Sequence, residues 1–192
     1  MNSPITARNS TVNVGPANIY WFLGLSGSGK TTLSRAVAEQ LRARGRDCFV
    51  LDGDLLRGGL CADLDYSDEG RKENLRRAGE LAMLASAQNF VCLCAFITPY
   101  QSTRERLRER LGTLFHEIYI KCPIEICMER DPKQNYRKAR QGRIVGYTGV
   151  DAPYEPPVDP NLCVETDLLS IEASVQLITE YILHTLPAKE GS

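Results

Sequence analysis

The segment Gly24-Leu25-Ser26-Gly27-Ser28-Gly29-Lys30-Thr31 spells G-x-x-x-x-G-K-[ST], and no other stretch of the chain restricts its fold as much. Such a loop works between a strand and a helix. Its glycines let the backbone curl so that successive N–H groups point at phosphate oxygens, and the helix behind it adds the positive end of its dipole. The apolar run 19–25 supplies the strand and residues 30–44 supply the helix, so motif and context agree on a polyphosphate site. Lys30 is spaced to reach the β- and γ-phosphates, and the Thr31 hydroxyl is spaced to be a ligand of Mg²⁺. The motif alone does not separate a kinase from an ATPase or a nucleotide switch.

Further strand-length apolar runs at 48–51, 90–96, 117–122 and 162–165 alternate with segments of helical period at 67–87, 102–111, 124–130 and 170–186. Ser67 is a candidate N-cap. The alternation predicts an α/β class, a three-layer fold with a mainly parallel sheet, helices on both faces and a ligand crevice at the carboxyl ends of the strands. With 192 residues, 43% of them hydrophobic, the chain suits one domain at 17–186, flanked by flexible tails at 1–16 and 187–192. Residues 131–160 break the pattern with prolines, glycines and basic residues and no clear apolar period. A stretch this long inside a compact domain predicts a lid.

Composition excludes several classes. Lys and Arg (23) nearly balance Asp and Glu (24), for a net charge of −1, so no overall field draws the protein to nucleic acid or an anionic membrane. The apolar run 90–97 is far short of the roughly 20 residues that span a bilayer. The N-terminus has neither a basic start nor an apolar h-region. Seven cysteines, an odd number with no C-x-x-C pair, read as reduced thiols serving as small hydrophobes, not as a metal site.

On the acceptor side, the second strand runs into Leu51-Asp52-Gly53-Asp54-Leu55-Leu56-Arg57, which puts Asp52, Asp54 and Arg57 beside the phosphate loop. A carboxylate there can hold Mg²⁺ through water, or orient an attacking hydroxyl and accept its proton. Asp54 is assigned the second role, which is compatible with a helix N-cap. Arg57 suits a bidentate grip on an anion. One turn apart on the next helix, Arg71 and Asn74 either face a ligand together or belong to a charged surface built with Glu73, Arg77 and Glu80.

These residues bring the sequence to a family it resembles, the adenylylsulfate kinases of the P-loop kinase superfamily, which make 3′-phosphoadenylylsulfate from ATP and adenylylsulfate. The resemblance is carried by the phosphate loop, by Leu51-Asp52-Gly53-Asp54 with Arg57 and Leu60, by Asp63-Leu64 with Tyr66-Ser67, and by Arg71 with Glu73-Asn74-Leu75-Arg76-Arg77. It continues through Ile97-Thr98-Pro99-Tyr100, Arg130-Asp131-Pro132-Lys133, and Tyr147-Thr148-Gly149-Val150-Asp151 with Pro153-Tyr154-Glu155.

That resemblance implies transfer of the γ-phosphoryl group of MgATP to the 3′-hydroxyl, with Asp54 and Lys30 catalytic. ATP contacts are implied for the loop residues Gly24 to Thr31 and for Thr32 and Arg130, with lid arginines such as Arg137 or Arg140 neutralising charge. Substrate contacts are implied for Asp52, Arg57, Arg71, Asn74, Ile97, Thr98 and Lys133. Tyr66 and Tyr147 stand where the family usually has the phenylalanines that sandwich the acceptor's adenine. A cytoplasmic homodimer serving sulfate assimilation is implied as well. The sequence departs from the pattern at Thr98, where serine is usual; at Asp65, where glycine is usual; at Gly70, where an aspartate usually precedes the arginine; and at Gln134-Asn135, in place of Gly-Leu. Two rivals remain at this point: a paralogous kinase for another nucleotide-linked anion, and an ATP-binding module without catalysis.

Overall fold

The computed structural model describes residues 16–186; the tails expected at 1–16 and 187–192 lie, apart from Pro16, outside the described residues. Five strands, β1 (Ile19–Leu23), β2 (Cys48–Asp52), β3 (Val91–Ala95), β4 (Phe115–Lys121) and β5 (Leu162–Glu165), form one sheet in the order β2-β3-β1-β4-β5. Every pairing is parallel. Seven α-helices connect or flank them: α1 (Lys30–Ala43), α2 (Gly53–Arg57), α3 (Asp68–Ala87), α4 (Gln101–Leu111), α5 (Ile124–Arg130), α6 (Asn135–Arg140) and α7 (Ile171–Thr185).

A parallel sheet is covered on both faces, and alternation along β1 shows how. Tyr20 and Phe22 point into a core shared with Leu33, Val37 and Leu41 of α1 and Ile178 and Ile182 of α7. Ile19, Trp21 and Leu23 point the other way, onto Leu75, Ala78 and Ala82 of α3 and Leu107 and Leu111 of α4. All five β1 residues are fully buried. Six of the seven cysteines are buried, and all seven are free thiols, four of them inside these two cores.

The α/β architecture and the strand sequence agree with the sequence reading. Three local differences have physical reasons. Strand β1 stops at Leu23 because Gly24, at φ 150°, leaves the strand conformation. The five-residue α2 falls within a stretch read only as the exit of β2. Its N-cap is Asp52, whose Oδ1 accepts from the Asp54 backbone N–H at 2.9 Å, so the capping role belongs to Asp52, not Asp54. Within 131–160, α6 forms although no apolar period announces it. Asp131 stands in for the period: its carboxylate accepts from the backbone N–H groups of Asn135, Tyr136 and Arg137. Ser67 caps α3 as expected, accepting from Gly70 N–H at 3.1 Å.

Candidate active site

The loop between β1 and α1 lies in the crevice between β1 and its neighbours, where the chain moves from one half of the sheet to the other. Two of its glycines are required. A Cβ at Gly24 would sit 2.4 Å from the Ile120 carbonyl oxygen, and one at Gly27, at φ 77°, would sit 2.7 Å from the Cys127 carbonyl oxygen. Any side chain would push the loop off β4 and α5. Lys30 begins α1, is 8% exposed and donates to the Leu25 carbonyl at 2.6 Å. Burial holds its pKa down to about 8, against the pull of Cys127, Asp52 and Asp54 toward the charged form. The buried Ser28 hydroxyl has no partner.

From α1 a hydrogen-bonded chain crosses to β2. Thr31 Oγ1 donates to Asp52 Oδ2 at 2.7 Å, while Asp52 Oδ1 holds the Asp54 amide. Asp52 is buried, whereas the Asp54 side chain is 64% exposed. It forms an ion pair with Lys133, from the segment after α5. Lys133, Asp52 and Asp54 all act electrostatically on Lys30, so one group of charges spans the loop, the end of β2 and the segment after α5.

A cleft of about 560 Å³ opens between the start of α3 and residues 145–153, lined by Tyr66, Arg71, Tyr100, Gly146 and Pro153 among others. Arg71 clasps its two walls together: Nε donates to the Tyr66 carbonyl at 2.9 Å, Nη1 to Thr148 Oγ1 at 3.1 Å, and Nη2 to the Gly146 carbonyl. Arg57 donates to the carbonyls of Leu64 and Asp65 and lies 4.2 Å over the Tyr66 ring.

A phosphate loop, an exposed carboxylate and a separate cleft with an aromatic wall match the arrangement of a small-molecule kinase, and comparisons with known proteins agree. The family model described as "Adenylylsulphate kinase" matches residues 16–165. The chain belongs to that family. It is 45% identical over 186 residues to a probable adenylyl-sulfate kinase of Halalkalibacterium halodurans, covering 96% of this chain and 89% of the relative. Its fold matches the Mycobacterium tuberculosis APS kinase solved with AMPPNP and APS, with a TM-score of 0.83 and 37% identity, covering 89% of this chain and 99% of that one. A hexameric APS kinase from Thiobacillus denitrificans matches with a TM-score of 0.67 and 30% identity, covering 92% of this chain and 31% of that one.

Within this kinase most residues singled out from sequence converge. Lys30, Thr31, Asp52, Asp54 and Lys133 gather around the phosphate loop. Ile97 borders it, its carbonyl accepting from Gly24 N–H at 3.4 Å. Tyr66 and Arg71 line the cleft, and Arg57, outside that lining, packs on the Tyr66 ring. Asn74 is 5% exposed, with Oδ1 lacking a partner. The charged-surface reading of α3 is met on its exposed side, where Glu73 pairs with Arg76 and Arg77. Arg130 reaches the loop through an intermediary that sequence reasoning missed. Its guanidinium donates to Thr166, whose hydroxyl donates to the Ser28 carbonyl at 2.9 Å. Tyr136, also missed, donates to the Ser26 carbonyl at 3.0 Å. Neither carries a local signal, since each partner lies more than a hundred residues away.

Tyr147 and Thr98 have partners within the protein that the sequence reading did not foresee. Tyr147 does not line the cleft. Its ring packs edge-on against Tyr136, centroids 5.2 Å apart, because Asp151 accepts from the Gly146 and Tyr147 amides and turns the chain there. Thr98 is 1% exposed, its Oγ1 accepting from Trp21 Nε1 at 2.8 Å and its carbonyl from Arg104 Nη1 at 3.1 Å. Its hydroxyl faces the core. At φ 47° a β-branched residue is strained, and these bonds hold it. Thr98→Val, which orphans the buried indole N–H, is expected to destabilise the protein by about 1–3 kcal/mol in denaturant unfolding, while Thr98→Ser keeps the acceptor and loses little.

Proposed function

We propose that this chain is an adenylylsulfate kinase, transferring the γ-phosphoryl group of ATP to the 3′-hydroxyl of adenylylsulfate to give 3′-phosphoadenylylsulfate, a step of sulfate assimilation. The observation that carries the reading is the exposed Asp54 carboxylate, whose backbone amide is held by the Thr31–Asp52 pair at the phosphate loop, together with the separate cleft lined by Tyr66 and Arg71. A nucleotide-binding module without catalysis has no use for such a carboxylate.

In the proposed reaction the 3′-oxygen forms a bond to the γ-phosphorus while the bond from that phosphorus to the β–γ bridging oxygen breaks. Asp54 orients the hydroxyl and accepts its proton as the ADP oxygen leaves with the bond's electrons. Phosphoryl transfer through a loose transition state asks mainly for alignment and charge neutralisation. Lys30, Arg130 and the lid residues Lys133 and Arg137 supply the latter. Arg57, Arg71 and Asn74 hold the phosphosulfate and nucleotide, and Tyr66 offers a face to the purine. Stacking of this kind contributes about 1–3 kcal/mol per base. The Thr31 hydroxyl and Asp52 carboxylate, adjacent hard oxygen donors, fit Mg²⁺. That ion, when bound with ATP, neutralises phosphate charge.

Lys30 makes ATP binding pH-dependent in a defined direction. Below about pH 7 it is already charged; above its value of about 8 the free protein holds it increasingly neutral, and bound triphosphate restores the charge. Calorimetric titration with MgATP in buffers of different ionisation enthalpy is expected to show proton uptake at pH 8.5, of up to about one proton per site, and less at pH 7.5. Lys30→Arg, charged throughout, abolishes the difference.

Purified protein incubated with MgATP and a panel of nucleotides, with products identified by mass, tests the reading. Adenylylsulfate gains one phosphoryl group at the 3′ position. Preferential labelling of another acceptor, or release of ADP and phosphate alone, refutes it. No helix among the described residues is long and apolar enough to cross a membrane. A cytoplasmic location is proposed, supported by the free thiols. A homodimer is the proposed assembly, by analogy with the family, and sedimentation tests it.

A further inference from the structure

Two departures from the family pattern, Asp65 and Gly70, meet in space. A Cβ on Gly70 would lie 2.4 Å from Asp65 Oδ1 and 2.6 Å from the Asp65 carbonyl oxygen, closer than any contact side chains tolerate. Neither position has a positive φ, so space and not backbone conformation demands the missing side chain at 70. Into that space Asp65 puts its carboxylate. Oδ1 accepts from the Ser67 N–H at 3.1 Å and the Ser67 hydroxyl at 2.5 Å, and Ser67 Oγ in turn caps α3 through Gly70 N–H.

The same short segment carries Tyr66. On one side the Asp65 carbonyl accepts from Arg57 at 2.8 Å; on the other the Tyr66 carbonyl accepts from Arg71 Nε at 2.9 Å. Asp65 thus completes a brace around the aromatic wall of the cleft and the guanidinium that ties it to the lid. Asp65 is exposed and belongs to none of the apolar cores, so a role in core packing does not account for it.

We propose that Asp65 and Gly70 are a coupled positioning pair for the acceptor nucleotide: the Asp65 carboxylate, admitted by the missing side chain at 70, sets Tyr66 and Arg71 for the purine and phosphosulfate. The inference rests on the adenylylsulfate reading. Asp65 acts through Ser67 and its neighbours and donates nothing to the reaction.

The test is adenylylsulfate binding by calorimetry together with steady-state kinetics. Asp65→Ala weakens adenylylsulfate binding and raises its KM by about tenfold, the size expected when a stacking ring is misplaced, while kcat and the KM for ATP stay within about twofold. Asp65→Asn, which keeps the Oδ1 acceptor, restores both. Gly70→Ala weakens acceptor binding in the wild-type background and does so less in Asp65→Ala, because one of its two clashes is then gone. Unchanged acceptor binding in Asp65→Ala, a parallel rise in the KM for ATP, or strict additivity of the two substitutions overturns the pair. A wild-type protein that binds adenylylsulfate without phosphorylating it sinks the kinase reading, and the Asp65 effect on affinity still decides the pair. If the wild type does not bind adenylylsulfate, both are overturned.

Discussion

Asp54→Ala is expected to lower kcat for phosphoryl transfer by about 10³-fold, within the range for loss of a positioned general base, while the KM for ATP changes by no more than about threefold. The separation follows from geometry. The Asp54 carboxylate is exposed, and the Thr31–Asp52 pair on the phosphate-loop side is tied to Asp54 only through its backbone amide. Removing the side chain leaves that amide in place, so α2 keeps its cap and the ATP crevice keeps its shape. Asp54→Asn is expected to fall nearly as far as alanine, because an amide can orient the 3′-hydroxyl but cannot take its proton. Lys133, which pairs with Asp54 here, loses its partner in either variant. Since both groups are more than half exposed, that loss has little effect on stability. Steady-state kinetics with adenylylsulfate and ATP varied in turn checks this. A kcat within tenfold of wild type would remove Asp54 from the chemistry.

Lys30→Met is the second large effect and has the opposite signature. It is expected to reduce kcat/KM for ATP by about 10³-fold, the scale of removing one preorganised charge from a phosphoryl transition state, and to weaken ATP binding itself. The unliganded fold should not suffer. Burial depresses the Lys30 pKa below its unfolded value, so near neutral pH the charged ammonium opposes folding, and this opposition eases only as pH rises through about 8 toward the unfolded value. A methionine of similar length keeps the packing and omits the charge. Thermal unfolding of the unliganded variant is therefore expected at or above the wild-type midpoint, with most of the stabilisation by MgATP lost. A lower midpoint without ligand would mean that Lys30 is held mainly as a structural donor to Leu25 and not as a phosphate ligand in waiting.

What could be read from the chain depended on the distance over which each signal acts. The phosphate loop, the strand and helix order, the Ser67 cap and the two-sided core all follow from spacing among residues a few positions apart, because a backbone turn, a helical face and a pleat are local geometries. The sequence alone was also enough to place Asp52 and Asp54 at a strand's carboxyl edge beside that loop. Which carboxylate capped α2 was not legible: Asp52 and Asp54 have the same chemistry two residues apart, and only the path of the chain distinguishes them. Tertiary structure decided the rest. It turned Thr98 into the core under Trp21, drew Tyr147 onto Tyr136, made Arg71 the clasp to Thr148 across 77 residues, and set Lys133 against Asp54 across 79 residues. Contacts of that kind arise only when separate elements pack, and a buried hydroxyl or guanidinium takes whichever partner the packing supplies. The sequence by itself therefore determined that this chain holds a polyphosphate on an α/β scaffold; the tertiary structure decided which residues line the cleft and which brace those that do.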